Sequence, residues 1–212
     1  VGTMVENFSR TFATWLDGRL AADVYVNARD DAQARDIQAS LRARPEVTAI
    51  LPSGRAEIEI GGWPVEVLGL ADHATYRDHW PLLESAPDAW DEVKSGRAAL
   101  VSEQLARRLN LRLGGRLDVS TPDGTWPLSI AAIYADYGNP KGQIAVNIDA
   151  FTSRFPNLPR TRFGLRVTPG KIAPLVDDMR KTFHLDESRL SDQSTLKAES
   201  TQIFNRTFTV TA

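Results

Sequence analysis

Cysteine is absent from the chain, so no disulfide frame, thiol nucleophile or thiolate metal site can be built from it. Histidine is scarce, with three residues at positions 73, 79 and 184, and none stands beside a serine in a recognisable nucleophile motif. Excess charge of either sign is also missing. The net charge is -2, which gives no basic face of the kind nucleic acid requires. The longest uncharged strand-like run, Gly124 to Ala135, is far too short for a bilayer-spanning helix, and no secretory leader pattern opens the sequence. Phosphate-binding signatures are lacking too. No G-x-G-x-x-G occurs, and Gly114-Gly115 has no Lys-Ser/Thr after it.

What remains is ordinary globular material of 212 residues, 42% hydrophobic and 25% charged, enough for one large domain or two small ones. The most legible stretch runs from Ala98 to Tyr134. Ala98-Ala99-Leu100-Val101 is a short apolar run suited to a buried strand, and Ser102 stands where a helix N-cap is expected. Leu105 and Leu109 supply an apolar helix face, and Gly114-Gly115 ends it. A hairpin follows. Leu117 and Val119 alternate on one arm, Thr121-Pro122-Asp123-Gly124 turns, and Trp126, Leu128, Ile130, Ala132 and Tyr134 alternate on the other.

Upstream, Val5, Phe8, Phe12, Trp15, Leu16 and Leu20 recur at three- and four-residue spacing, which predicts an amphipathic opening helix. Ala22 to Ala28 reads as a strand, Asp30 or Asp31 caps a helix carrying Ala34, Ile37 and Leu41, and Val47 to Leu51 is a second strand. A hairpin is expected from Glu57 to Leu68 about Gly61-Gly62. Between Ala71 and Gly96 the pattern loosens into a surface connection. Downstream, Gln143 to Ile148 reads as a strand closed by Asp149 as a cap. A strand over Thr161 to Thr168, a helix with Leu175, Val176 and Met179, and a weak strand near Ser188 to Leu190 repeat the earlier strand–helix–strand order. A closing helix from about Asp192, with Leu196, Ile203, Phe204 and Phe208 as its stripe, is expected to pair with the opening one.

The fold class predicted is α+β: a ferredoxin-like duplicated βαβ lobe and a β-rich inserted lobe, flanked by two terminal helices. Residues 1–71 and 157–212 are assigned to the first lobe and 72–156 to the second.

Chemistry is harder to find. His73 and His79 lie six apart, matching neither a helical i, i+4 ligand pair nor a zinc-finger spacing. Ser102 echoes a nucleophile elbow, but Leu100 and Gln104 occupy the positions of the two glycines that motif needs. No catalytic, cofactor-binding or metal-binding residue is therefore assigned. The polar, glycine-rich stretch Asp136 to Gly142 reads either as a tight turn or as a contact loop.

The run Leu100-Val101-Ser102-Glu103-Gln104-Leu105-Ala106, then Leu109-Asn110-Leu111, Gly114-Gly115-Arg116-Leu117 and Ile133-Tyr134-Ala135-Asp136-Tyr137-Gly138, resembles a known family. It is that of the periplasmic core domains of ABC-transporter permeases of the macrolide-exporter, lipoprotein-release and FtsX-like type. The resemblance implies a non-enzymatic extracytoplasmic domain of an inner-membrane permease. It also implies a cytoplasmic ATPase partner, a second permease subunit, a periplasmic partner protein in some members, and no cofactor. The uncharged ends, Val1 to Val5 and Thr207 to Ala212, fit a segment set between two membrane helices. Two other classes are weighed: a freestanding periplasmic module for a hydrophobic ligand, and a hydrolase using Asp and His from the Asp72 to Asp78 region.

Overall fold

The computed structural model describes residues 2–137 and 139–209, with backbone alone at 208 and 209. The chain divides into two compact units, Val1–Leu51 with Arg160–Ala212, and Pro52–Pro159.

The first unit contains helix α1 (Gly2–Arg19), strand β1 (Val24–Asn27), helix α2 (Asp31–Arg42) and the start of strand β2 (Val47–Ile60). It also contains β9 (Arg162–Val167), helix α7 (Ile172–Phe183), β10 (Leu190–Asp192) and helix α8 (Gln193–Thr209). The four strands lie in the order β10-β1-β9-β2, and β1 is antiparallel to both neighbours. That is the ferredoxin-like arrangement of two βαβ units. Helix α2 starts where it does because the Asp30 carboxylate accepts the Gln33 N–H (2.8 Å), satisfying a donor of the first turn. Its apolar positions Ala34, Ile37 and Leu41, with Leu175, Val176 and Met179 of α7, close over Val24, Val26, Phe163 and Leu165 to form one core.

The second unit holds the rest of β2, then β3 (Trp63–Leu70), α3 (Ala74–Arg77), β4 (Leu82–Ser85), α4 (Ala89–Lys94), β5 (Ala98–Ser102), α5 (Glu103–Leu109), β6 (Arg116–Thr121), β7 (Gly124–Tyr134), β8 (Gly142–Asn147) and α6 (Ile148–Arg154). Its strands run in the order β2-β3-β8-β5-β7-β4, with β6 also on β7. Pairing is mixed: β3–β8 and β5–β7 are parallel, the others antiparallel. Trp126, Leu128, Ile130, Val101, Ile144 and Val67 fill the core, and the Trp126 indole N–H reaches the Gly96 carbonyl (3.1 Å).

Several local expectations are revised. Val47 to Leu51 and Glu57 to Ile60 form one strand of 14 residues, which continues through Pro52 and Gly54. Residues 52–71, expected with the first lobe, belong to the second unit because Val65–Leu70 hydrogen-bonds along β8. The stretch expected as a loose connection contains α3, β4 and α4, and buries Tyr76 and Trp80 in an edge-on stack reaching Tyr134. The cap of α6 is Asn147, whose side chain accepts the Asp149 N–H (2.8 Å), so Asp149 is the second residue of the helix, within its first turn. Ser102 occupies the N-cap position of α5 without capping it; its hydroxyl accepts the Gln143 N–H instead (3.1 Å).

Candidate functional site

Two features of the molecule are candidates: a pair of terminal helices in the first unit, and a polar ladder in the second.

Helices α1 and α8 run antiparallel. Phe8 and Phe12 stack on Phe204 (ring centroids 5.7 and 4.1 Å), Lys197 pairs with Asp17 (2.6 Å), and the Gln193 side chain donates to the Leu20 carbonyl. The sum of paired positions is nearly constant along the helices, as antiparallel packing demands. Asp192 caps α8 through the Thr195 N–H (2.7 Å), and Leu20 N–H closes the last turn of α1 on the Leu16 carbonyl (2.8 Å). Only Phe12, Leu16 and Gly18 of α1 are buried. Gly18 sits inside a continuous helix, one residue before its end. Of the expected stripe on α8, Phe204 makes the contact while Ile203 points outward at 64% exposure; the Phe208 side chain, like Val1 and Ala212, lies outside the described residues. Met4 and Val5 are exposed as well. The start of α1 and the end of α8 thus share one end of the pair.

The polar ladder crosses three neighbouring strands of the second unit and reaches a fourth through Tyr134. Glu57, Glu66 and Gln143 are opposite one another on β2, β3 and β8. Tyr134 donates to Gln143 Oε1 (2.6 Å), Gln143 Nε2 donates to Glu66 (2.8 Å), and Lys141 pairs with Glu57 (2.7 Å). The Glu57 carboxylate beside it holds the Lys141 ammonium pKa above the ordinary lysine value. Gln104 Nε2 donates to the Asp136 carbonyl (2.9 Å). Two like charges facing each other on adjacent strands repel; here the Lys141 ammonium on Glu57 and the Gln143 amide on Glu66 offset that repulsion. This network ties down both flanks of the glycine-rich loop, whose Gly138 lies outside the described residues.

The two histidines of the connecting region are engaged locally. His73 Nδ1 accepts the Thr75 N–H (3.1 Å) as the cap of α3, and His79 Nδ1 donates to the Thr75 carbonyl (2.9 Å). A nitrogen whose lone pair already serves a backbone donor is poorly placed as a metal ligand. Among the described residues no group of three or more His, Asp or Glu side chains is clustered for a cation. Asp72 nearby is pushed up by burial, but the hydrogen bond and charge of Arg77, with Lys94, outweigh this and leave its pKa below the usual carboxylate value. Arg77 also bridges to Asp91 (3.1 Å), joining α3 to α4. Asp72 is thus engaged by Arg77, His73 by the Thr75 N–H and His79 by the Thr75 carbonyl. The ladder was not legible in the sequence, because its members come from four separate strands and a loop. The alternation of Glu57, Glu59 and Glu66 with apolar residues gave the only signal.

No protein-family model matches the chain. It is 22% identical, over its whole length, to an uncharacterized ABC transporter permease protein of Mycobacterium tuberculosis, of which it spans 26%. Its fold matches the periplasmic region of MacB from Actinobacillus actinomycetemcomitans with a TM-score of 0.52 at 9% identity, over 83% of this chain and 90% of that one. The extracellular domain of YknZ, a noncanonic ABC-type transporter from Gram-positive bacteria, matches with a TM-score of 0.50 at 10% identity, over 81% of this chain and 98% of that one. Among the described residues no helix is long and apolar enough to cross a membrane. The chain therefore has the α+β fold of the extracytoplasmic domains of MacB-like ABC-transporter permeases, the family its sequence resembles.

Proposed function

We propose that this chain is the extracytoplasmic domain of an ABC-transporter permease, without catalytic, cofactor or metal residues of its own, and that it couples cytoplasmic ATP hydrolysis to movement outside the membrane. The observation that carries the reading is the antiparallel pairing of α1 and α8 through Phe8, Phe12 and Phe204. A helix transmits displacement along its axis because each turn is held by backbone hydrogen bonds. At roughly 1.5 Å per residue, 18 residues of α1 give a lever of about 27 Å. Two such levers, joined side by side with their free ends together, are suited to carry a push from a membrane into the βαβ lobe to which they connect. The partners on this reading are an ATPase subunit or domain and a second permease subunit, and a periplasmic protein where the cargo requires one. The two lobes are the bodies that hinge or shear.

The test is made in the full-length protein. Apolar stretches of about 20 residues on both sides of this segment are expected. A flexible Gly-Ser insert after Leu20, at the junction of α1 with the lobe, should leave ATP hydrolysis running and abolish transport. Unchanged transport with the insert in place overturns the coupling role.

A further inference from the structure

In the second unit, the β2–β3 hairpin tip meets the end of α5. Gly61 and Gly62 take left-handed backbone angles (φ 57° and 79°), so the turn holds to two residues and Trp63 stands directly opposite Ile60. Opposite residues share a face of the sheet, and Ile58 and Ile60 pack toward the core with Leu109 of α5. Trp63 is therefore on the α5 side, whereas Glu57 and Glu59 alternate to the other face. A Cβ on Gly61 would come within 2.7 Å of Leu109, so this tip sits close against the helix.

The Arg108 guanidinium lies 3.0 Å from the Trp63 ring centroid. Both side chains are exposed, Trp63 at 38%. From Gln104 to Leu117 the chain carries four arginines and no carboxylate. Arg107 is spent on Glu103 and Arg116 on Asp118, while Arg108 and Arg112 form no ion pair among the described residues. Leu113, next to Arg112, is exposed to the same degree as Trp63. A guanidinium stacked on an indole keeps its N–H edges free in the ring plane, preset for a planar carboxylate. An uncommitted arginine on an exposed aromatic ring, followed within five positions of the chain by a second uncommitted arginine and an exposed leucine, has a defined complement.

We propose that the Trp63–Arg108 tip, with Arg112 and Leu113, is a docking surface for an acidic peptide segment of a partner protein that carries an aromatic or aliphatic anchor. The anchor covers Trp63 and Leu113, and Asp or Glu side chains take the guanidinium edges. This deepens the permease reading by locating a partner surface. It rests on that reading only for the compartment, since binding is a property of the isolated chain.

The experiment selects a displayed library of random 12-residue peptides against the whole chain, then measures the enriched peptides by fluorescence anisotropy at low and high salt. Enrichment of sequences with two or more Asp or Glu flanking Phe, Trp or Leu is expected. Their affinity should fall about tenfold or more in R108E/R112E and in W63A, and remain within about twofold in the surface control Arg35→Glu. The expected salt dependence is a marked loss above the ionic strength at which exposed charges are screened. Far-ultraviolet circular dichroism confirms that each variant is folded. Neutral or basic consensus peptides, no consensus, or equal weakening by Arg35→Glu would each overturn the proposal. So would displacement of the selected peptides by anionic phosphatidylglycerol vesicles with equal loss in W63A, which would make the surface a lipid site. None of these outcomes touches the insert experiment at Leu20, so the two readings fail separately.

Discussion

Gly54 and Gly69 face each other on β2 and β3, and the gap they leave is filled by the Phe151 ring. A Cβ at position 54 would lie 2.5 Å from Phe151 Cε1 and 2.9 Å from Cδ1; at position 69 it would lie 2.9 Å from Cγ and 3.0 Å from Cβ of Phe151, with Ile148 Cδ1 also at 3.0 Å. Carbon contacts are favourable only at about 3.5–4.0 Å, so about 1 Å of movement is demanded at position 54 and somewhat less at 69. The ring edge met by position 54 can swing about its own torsions. The Cβ and Cγ atoms met by position 69 can move only with the α6 backbone. G69A should therefore cost as much as G54A or more, despite its longer distances. Overpacking a core costs about 1–3 kcal/mol, and replacing a strand glycine returns about 0.5–1 kcal/mol of chain entropy. Net losses of about 1–2 kcal/mol are expected for G54A and about 1.5–2.5 kcal/mol for G69A on the same bookkeeping, equivalent to a Tm lower by about 2–10 °C. Urea unfolding followed by tryptophan fluorescence reads the second unit, which holds four of the five tryptophans. The decisive variant is F151L, which removes the ring. In that background G54A should become neutral or stabilising, a coupling of at least about 1 kcal/mol in the double-mutant cycle, whereas G69A should keep most of its cost, because leucine retains the Cβ and Cγ atoms it meets and Ile148 is unchanged. Glycine substitutions that are neutral in the parent chain, or a G54A that costs the same with and without the ring, refute the cradle.

Phe204→Ala removes two ring stacks from the helix pair, each worth about 0.5–1.5 kcal/mol beyond area burial. The result should be faster amide exchange over residues 2–12 and 196–209, with the βαβ core unchanged; equal protection in the variant would count against the clasp. Asp17→Asn and Lys197→Ala, separately or together, should shift stability by under about 1 kcal/mol, because Asp17 is mostly exposed; a larger coupling would show that the pair is shielded from water. The folded-state pKa of Asp72 is lowered, so its contribution is present above the ordinary carboxylate value of 3.8 and lost as pH falls through the depressed one. Arg77→Gln should flatten that acid-limb loss in urea melts taken from neutral pH down to about pH 2; an unchanged acid limb would remove Arg77 as the cause.

Local order along the chain was set by the sequence itself. Asp30 and Gln33 fix the start of α2, the apolar spacing of Leu175, Val176 and Met179 fixes the buried face of α7, and Pro122-Asp123-Gly124 fixes the β6–β7 hairpin. Each of these depends on neighbours within a few positions, and periodicity reports such neighbours directly. The duplicated strand–helix–strand order and the terminal helices were legible for the same reason. What only the tertiary structure decided are the partnerships between distant segments. β3 contributes Leu70 to a parallel pairing with Asn147, which draws residues 52–71 into the second unit, although their sequence reads as a self-contained hairpin. The Ser102 hydroxyl accepts the Gln143 N–H, 41 positions away, and not an N–H of its own helix. Ile203 and Phe204 are adjacent and equally apolar in sequence, yet one faces outward and the other completes the clasp with Phe8 and Phe12. A 3.6-residue period fixes which side chains share a stripe but leaves its rotation against a partner helix to the shapes that meet there.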